Sequence, residues 1–144
     1  MIVKRQDKYP DTDTFHFFNA NPKGKITGDC VVRAISRATG IDYNTVVMEL
    51  AAMQCKTGLD YADKRIYGKY LENHGFVKCG QPRKADSTKY TGKEFCRKLA
   101  DKKARYFAHI GGLHVVAIID GRVNDHWDST GGCIGNYWVK EDAA

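Results

Sequence analysis

Apolar residues recur at three- and four-residue spacing as far as about residue 100 and then at alternate positions to the end, a change from the helical to the strand period. Val31, Ala34, Ile35 and Ala38 share one face of a helix that Asp29 can cap, with Cys30 as its first residue and Gly40 at its C′ position. A second helix, capped by Asp42 or Asn44, carries Val46, Val47, Leu50, Ala51 and Met53 and is interrupted by Gly58. A third spans Tyr61 to Asn73 with Ile66, Tyr70 and Leu71 inward, and a fourth spans Thr91 to Lys103 with Phe95, Leu99 and Ala100 as its buried stripe.

Strands follow. Arg105–Ile110, Leu113–Ile119 and Arg122–Trp127 alternate or run apolar, with Gly111-Gly112 and Asp120-Gly121 as turns, and Ile134–Lys140 adds a last strand after Gly131-Gly132. Upstream, residues 1–14 read as an arm, Phe15–Phe18 as a short extended segment, and Asn19–Gly28 as a loop. Helices first and sheet second give an α+β domain, with the N-terminal helices packed on a C-terminal antiparallel sheet.

Composition narrows the class. A chain of 144 residues with 42% hydrophobic content is one domain able to bury its own core. The longest apolar run, Leu113–Ile119, is too short to cross a bilayer, and the first eight residues lack the apolar core of a secretory signal, so a cytoplasmic protein without membrane partners is expected. Cys30, Cys55, Cys79, Cys96 and Cys133 form no CxxC pair, so reduced thiols and no metal or organic cofactor are expected. The net charge of +6 is spread along the chain and reads as a solvated basic surface rather than as a nucleic-acid footprint.

Cys30 changes the picture. A cysteine in the first turn of a helix faces unpaired N–H groups that favour its thiolate, the nucleophilic form. The other four cysteines lack that setting and read as small buried apolar residues. A thiol nucleophile needs a base and a group to orient it. His114 opens one strand, and Asn124-Asp125-His126-Trp127-Asp128 lies on the next. If Asp120-Gly121 is a two-residue turn, His114 faces Trp127 and Asp125 lies one diagonal step away on the same side, while a three-residue turn brings Asp128 opposite His114. His109 and His126 compete as bases, His16 and His74 read as surface groups, and Arg33 suits an ion pair with Asp29 or a C-terminal acid.

The order of Cys on an early helix, His on a later strand and an acid on the next resembles the papain-like cysteine peptidases. Gly28-Asp29-Cys30-Val31-Val32-Arg33-Ala34 is similar to the helix opening of small bacterial and phage-encoded members, and His114–Gly121 followed by Asp125-His126-Trp127-Asp128 to the family's His strand and Asn-x-Trp run. The resemblance implies a peptidase or related thiol amidohydrolase or acyltransferase. It would act on a protein or peptide with Cys30 as nucleophile, His114 as base, Asp125 (or Asp128) as orienting acid and Trp127 as shield. The family's glutamine ahead of the cysteine has no counterpart here, since Gly24 stands six residues before Cys30, so Asn21 or Asn19 would serve the oxyanion beside the Cys30 N–H. That gap sustains an alternative, an inactive papain-like scaffold serving as a protein-binding or inhibitory module.

Overall fold

A six-stranded sheet carries the helices in the computed structural model, which describes residues 4–141. The elements in chain order are α1 (Arg5–Lys8), β1 (Phe15–Phe17), α2 (Cys30–Thr39), α3 (Tyr43–Thr57), α4 (Lys64–Asn73), β2 (Val77–Cys79), α5 (Gly92–Lys98), β3 (Ala104–Ile110), β4 (His114–Ile119), β5 (Arg122–Asp125) and β6 (Ile134–Glu141). The strands lie in the order β1-β5-β4-β3-β6-β2. The domain is α+β, but its sheet is neither wholly C-terminal nor wholly antiparallel. β1 pairs parallel with β5 through Phe15 to Val123 and Phe17 to Asp125, and β2 pairs with the edge of β6. Single-strand patterns carry no partner information, and three-residue strands are too short to announce themselves by period.

Each face of the sheet buries its own cluster. On one, α2, α3 and α4 pack Ile35, Leu50, Ile66, Tyr67 and Leu71 against Phe107, Val115, Ala117 and Trp138. On the other, α5 sets Phe95 and Cys96 against Ala108, Ile110, Val116 and Ile118, with Phe15 beside them. α2 lies at the centre, and even Val32 and Arg33, outside the predicted apolar stripe, are buried. Ile35 is wholly inaccessible, so truncating it to Ala removes ~2–5 kcal/mol.

The capping signals place most helix ends, the exception being the end of α5, expected at Lys103, which stops short of it and leaves Leu99 exposed. Gly40 ends α2 at φ +78, donating its N–H to Ser36 O, and Asp42 caps α3 by accepting from Thr45 N. Asp63 caps α4, which therefore starts later than expected from Tyr61. Thr91 and Glu94 form a reciprocal capping box on α5, which stops at Lys98. Residues 4–14 are docked rather than forming a free arm. Arg5 Nε donates to His126 O at 2.6 Å, and Arg97 holds Asp13 at 2.9 Å.

The β4–β5 hairpin turns on Asp120 (φ 55) and Gly121 (φ 71), two consecutive left-handed residues as a two-residue type I′ turn requires. Ile119 pairs with Arg122, Ile118 with Val123 and Ala117 with Asn124. Extending that register places Trp127 opposite His114 and leaves Asp125 on the diagonal, so the two-residue alternative is the one adopted.

Candidate active site

Three elements meet where α2 begins. The loop Asn19–Gly28 delivers the chain to α2, β4 opens with His114, and β5 ends with Asp125. Cys30 is half-buried and packs against the α2-side core, with the N–H of its own first turn left without an intrahelical acceptor. His114 Nε2 lies 2.5 Å from Asp125 Oδ2, and the Trp127 ring covers the imidazole with centroids 5.0 Å apart. With Nε2 taken, Nδ1 is the ring nitrogen left for the Cys30 thiol, and the two groups are near enough for each to favour the other's charged form.

Behind this trio lies a buried charge network. Asp125 is 1% exposed, and its second oxygen accepts from Arg33 Nη1 at 2.5 Å and from the His126 N–H at 2.7 Å. Arg33 Nε reaches back to Asp29 Oδ1 at 2.7 Å. The other Asp29 oxygen accepts from Tyr43 Oη at 2.5 Å and Asn21 Nδ2 at 3.1 Å. Asp29 stands at the N-cap position of α2, yet its carboxylate makes no cap bond, because Arg33 and Tyr43 claim it. The expected pairing of Arg33 with Asp29 or a C-terminal acid is thus met twice over. One guanidinium bridges the residue before the cysteine and the acid behind the histidine.

The electrostatics follow from that arrangement. Burial pushes the Cys30 thiol up, but the hydrogen bond and charge of His114, the Val115 N–H and the Arg33 charge together hold it below the ordinary thiol value. Burial works against the charged form of His114 as well, yet Asp125 and Cys30 raise it to about 9. For Asp125 burial opposes ionisation, and His114 and Arg33 outweigh it, keeping the carboxyl below its usual range. The three shifts run in one direction, favouring a thiolate, an imidazolium and a carboxylate over their neutral forms.

The remaining predicted residues sit apart. Asp128 Oδ1 accepts from the N–H and hydroxyl of Thr130 at 3.0 and 2.5 Å rather than meeting His114. Asn19 Nδ2 donates to Lys25 O, and Asn21 Nδ2 donates to Asp29, so each amide keeps one N–H beyond its loop contact. His109 Nε2 is 2.8 Å from Tyr67 Oη, and the ring nitrogens of buried His126 have no hydrogen-bond partner among the described residues. His16 pairs with Asp11, and His74 packs against the Tyr70 ring. Of the other cysteines, Cys96 alone is buried, its thiol pushed up to about 12 by burial. Cys55 and Cys133 are exposed, which corrects the expectation of small core residues. Cys55 lies on the outer face of α3 and Cys133 in the loop before β6, neither of which an apolar count can place inside.

The sequence reading does not single out Tyr43, nor Asp125 as the particular acid that Arg33 meets. Arg33 follows Asp29 by four positions, which is ion-pair spacing on a helix, but its bond to Asp125 spans 92 positions and depends on the tertiary fold. No protein-family model, curated protein or solved structure matches this chain.

Proposed function

We propose that this protein is a papain-like cysteine hydrolase that cleaves amide or isopeptide bonds. The observation that carries the reading is the order Cys30, His114, Asp125, with the thiol's pKa lowered, the imidazole's raised to about 9, and Nε2 of the ring 2.5 Å from the acid. The Cys30 thiolate attacks the acyl carbon, and the carbonyl electrons move onto oxygen. The Cys30 N–H, with the free N–H of Asn21 or Asn19, is the proposed donor set for that oxyanion. Imidazolium His114 then gives its proton to the leaving amine, forming a thioester. Next the neutral ring takes a proton from water, the hydroxide adds, and the acid product leaves as the thiolate returns. Asp125 holds the ring's orientation and its charge, and Trp127 keeps water from that pair.

Alkylation by iodoacetamide at pH 6, followed by peptide mapping, tests the nucleophile. Cys30 is expected to react well ahead of the exposed Cys55 and Cys133, and equal modification of the three overturns the reading. The second reading, a non-catalytic binding module on the same scaffold, rests on the lack of a glutamine in the loop before Cys30. It predicts that Cys30 still alkylates but that no acyl-enzyme forms or turns over with a thiol-reactive acyl probe.

A further inference from the structure

Two neighbouring hollows open along β6, beyond the residues of the trio. The first, of about 400 Å³, lies between α4 and β2 and is lined by Lys64, Arg65, Lys69 and Lys78 against a single acid, Glu72, with Trp138 as its floor. The second, of about 310 Å³, is lined by Lys89, Gln81, Asn136 and His109 and holds no acid. They adjoin one another, for the rings of His109 and Trp138 are 6.0 Å apart and Lys64 and Lys78 both act on the His109 charge. The second reaches the candidate site. His109 bonds Tyr67, whose hydroxyl lies within range of the Cys30 charge, and Gly112 on its rim is two residues ahead of His114.

Charge along this path is not cancelled within the described chain. Arg65 is engaged by Asp63 at 2.9 Å, whereas Lys64, Lys69, Lys78 and Lys89 are exposed and enter no ion pair among the described residues. A lining with so large an excess of positive charge concentrates anions and steers them along its length. Resting on the reading of Cys30 as an acyl-transfer nucleophile, we infer that the two hollows form one cationic groove that guides an acidic stretch of polypeptide to Cys30. Carboxylate side chains meet Lys64, Lys78 and Lys89 in turn, and the amides of Gln81 and Asn136 receive the polar backbone or a side-chain head. A single-stranded nucleic acid fits less well, because it needs exposed aromatic faces for its bases and Trp138 is only 1% exposed.

The test compares thiol-reactive peptidyl probes of one length bearing Glu, Gln or Lys beside the warhead, with iodoacetamide alkylation of Cys30 as the reference rate. The Glu probe is expected to label Cys30 about tenfold faster than the Gln probe at low salt, and that advantage should shrink as the screening length falls below about 10 Å. Combining Lys64→Gln, Lys78→Gln and Lys89→Gln, all at exposed positions, should erase the ratio. In parallel, a fluorescein-labelled hexaglutamate is expected to bind the wild-type protein and to lose most of its affinity in the triple variant. Equal Glu and Gln rates, a Glu preference that survives the triple variant, or stronger binding of a dT oligonucleotide than of hexaglutamate overturns the groove assignment. Hexaglutamate binding lost in the triple variant, but with no selective Cys30 labelling, leaves an acidic-peptide groove and overturns the hydrolase reading instead.

Discussion

Arg33 Nη1 lies 2.5 Å from Oδ1 of Asp125, the oxygen that His114 does not use. A single buried carboxylate thus faces a permanent cation on one side and a titrating one on the other. Arg33 is itself shared with Asp29, so the orientation of the histidine is tied to the residue that precedes the cysteine. Removing one member of such a set leaves a buried charge without its partner.

Asp125→Ala is therefore expected to destabilise the fold by ~3–5 kcal/mol as well as to disable the site, because it strands Arg33. Asp125→Asn keeps the volume and a hydrogen bond, and should cost less stability while still lowering turnover by ~10²-fold or more. Urea denaturation and acyl-probe turnover of both variants separate the two effects. Equal stability of Asp125→Ala and the wild type would contradict the buried-network account.

The sign of the pH dependence follows from the same charges. Asp29 and Asp125 both ionise more readily in the fold than their ordinary value of 3.8 allows. A lowered folded pKa contributes stability that is fully present above the unfolded value and is lost as pH falls through the folded one. Stability should therefore hold down to about pH 4–5 and drop below it. Asp29→Asn should flatten that drop, as read from denaturation midpoints at pH 5 and pH 3.

On the proposed hydrolase reading, activity has its own pH window. The acid limb is set by Cys30, whose thiolate persists below the ordinary thiol value, and the alkaline limb by loss of the His114 proton at about 9. Alkylation of Cys30 should already be fast at neutral pH, and hydrolysis, which needs a protonated His114 for the leaving amine, should decline above about 9. In His114→Ala the alkylation midpoint should move up toward that of an ordinary thiol. A stopped-flow alkylation profile from pH 5 to 10 reads the limb directly.

Much of this site was legible in the chain because its pieces are local. Gly28-Asp29-Cys30 before an apolar helical face, and His114 six residues ahead of Asp120-Gly121, each follow from short-range rules of capping and hairpin turns. The turn signal leaves Asp125 and Asp128 both open, and the two-residue turn of the fold puts Asp125 on the diagonal from His114. What stayed hidden depends on packing between distant segments. The parallel docking of Phe15–Phe17 on β5, the burial of Val32 and Arg33 at the centre of the fold, and the placing of α5 on the opposite face all require partners that no window of sequence contains.

The hairpin that sets the register is itself a target. Gly121 has φ 71, and a Cβ there would come 3.4 Å from Lys102 Cγ, a flexible side chain that can yield. The cost of Gly121→Ala is then chiefly the left-handed backbone, ~1–2 kcal/mol. Inserting one residue between Asp120 and Gly121 is more severe, since a slip of one turns the alternate side chains of β5 to the other face. Loss of selective Cys30 alkylation in the insertion variant, with far-UV circular dichroism retained, is the expected outcome.

Trp127 offers a separate handle on His114. Its ring lies 5.0 Å from the imidazole centroid and is only half-buried, so truncation opens the His114–Asp125 pair to water without emptying the core. Two effects then oppose each other. Water relieves the burial that works against the charged ring, and it also weakens the bond to Asp125 that favours that charge. Because the Asp125 carboxylate stays 1% exposed and anchored by Arg33, the pair should persist, and Trp127→Ala should keep a raised His114 pKa while lowering turnover through a less restricted ring. Imidazole NMR titration gives the first quantity and acyl-probe kinetics the second. A His114 that titrates near 6.5 in Trp127→Ala would show that the indole, and not Asp125, holds the proton in place.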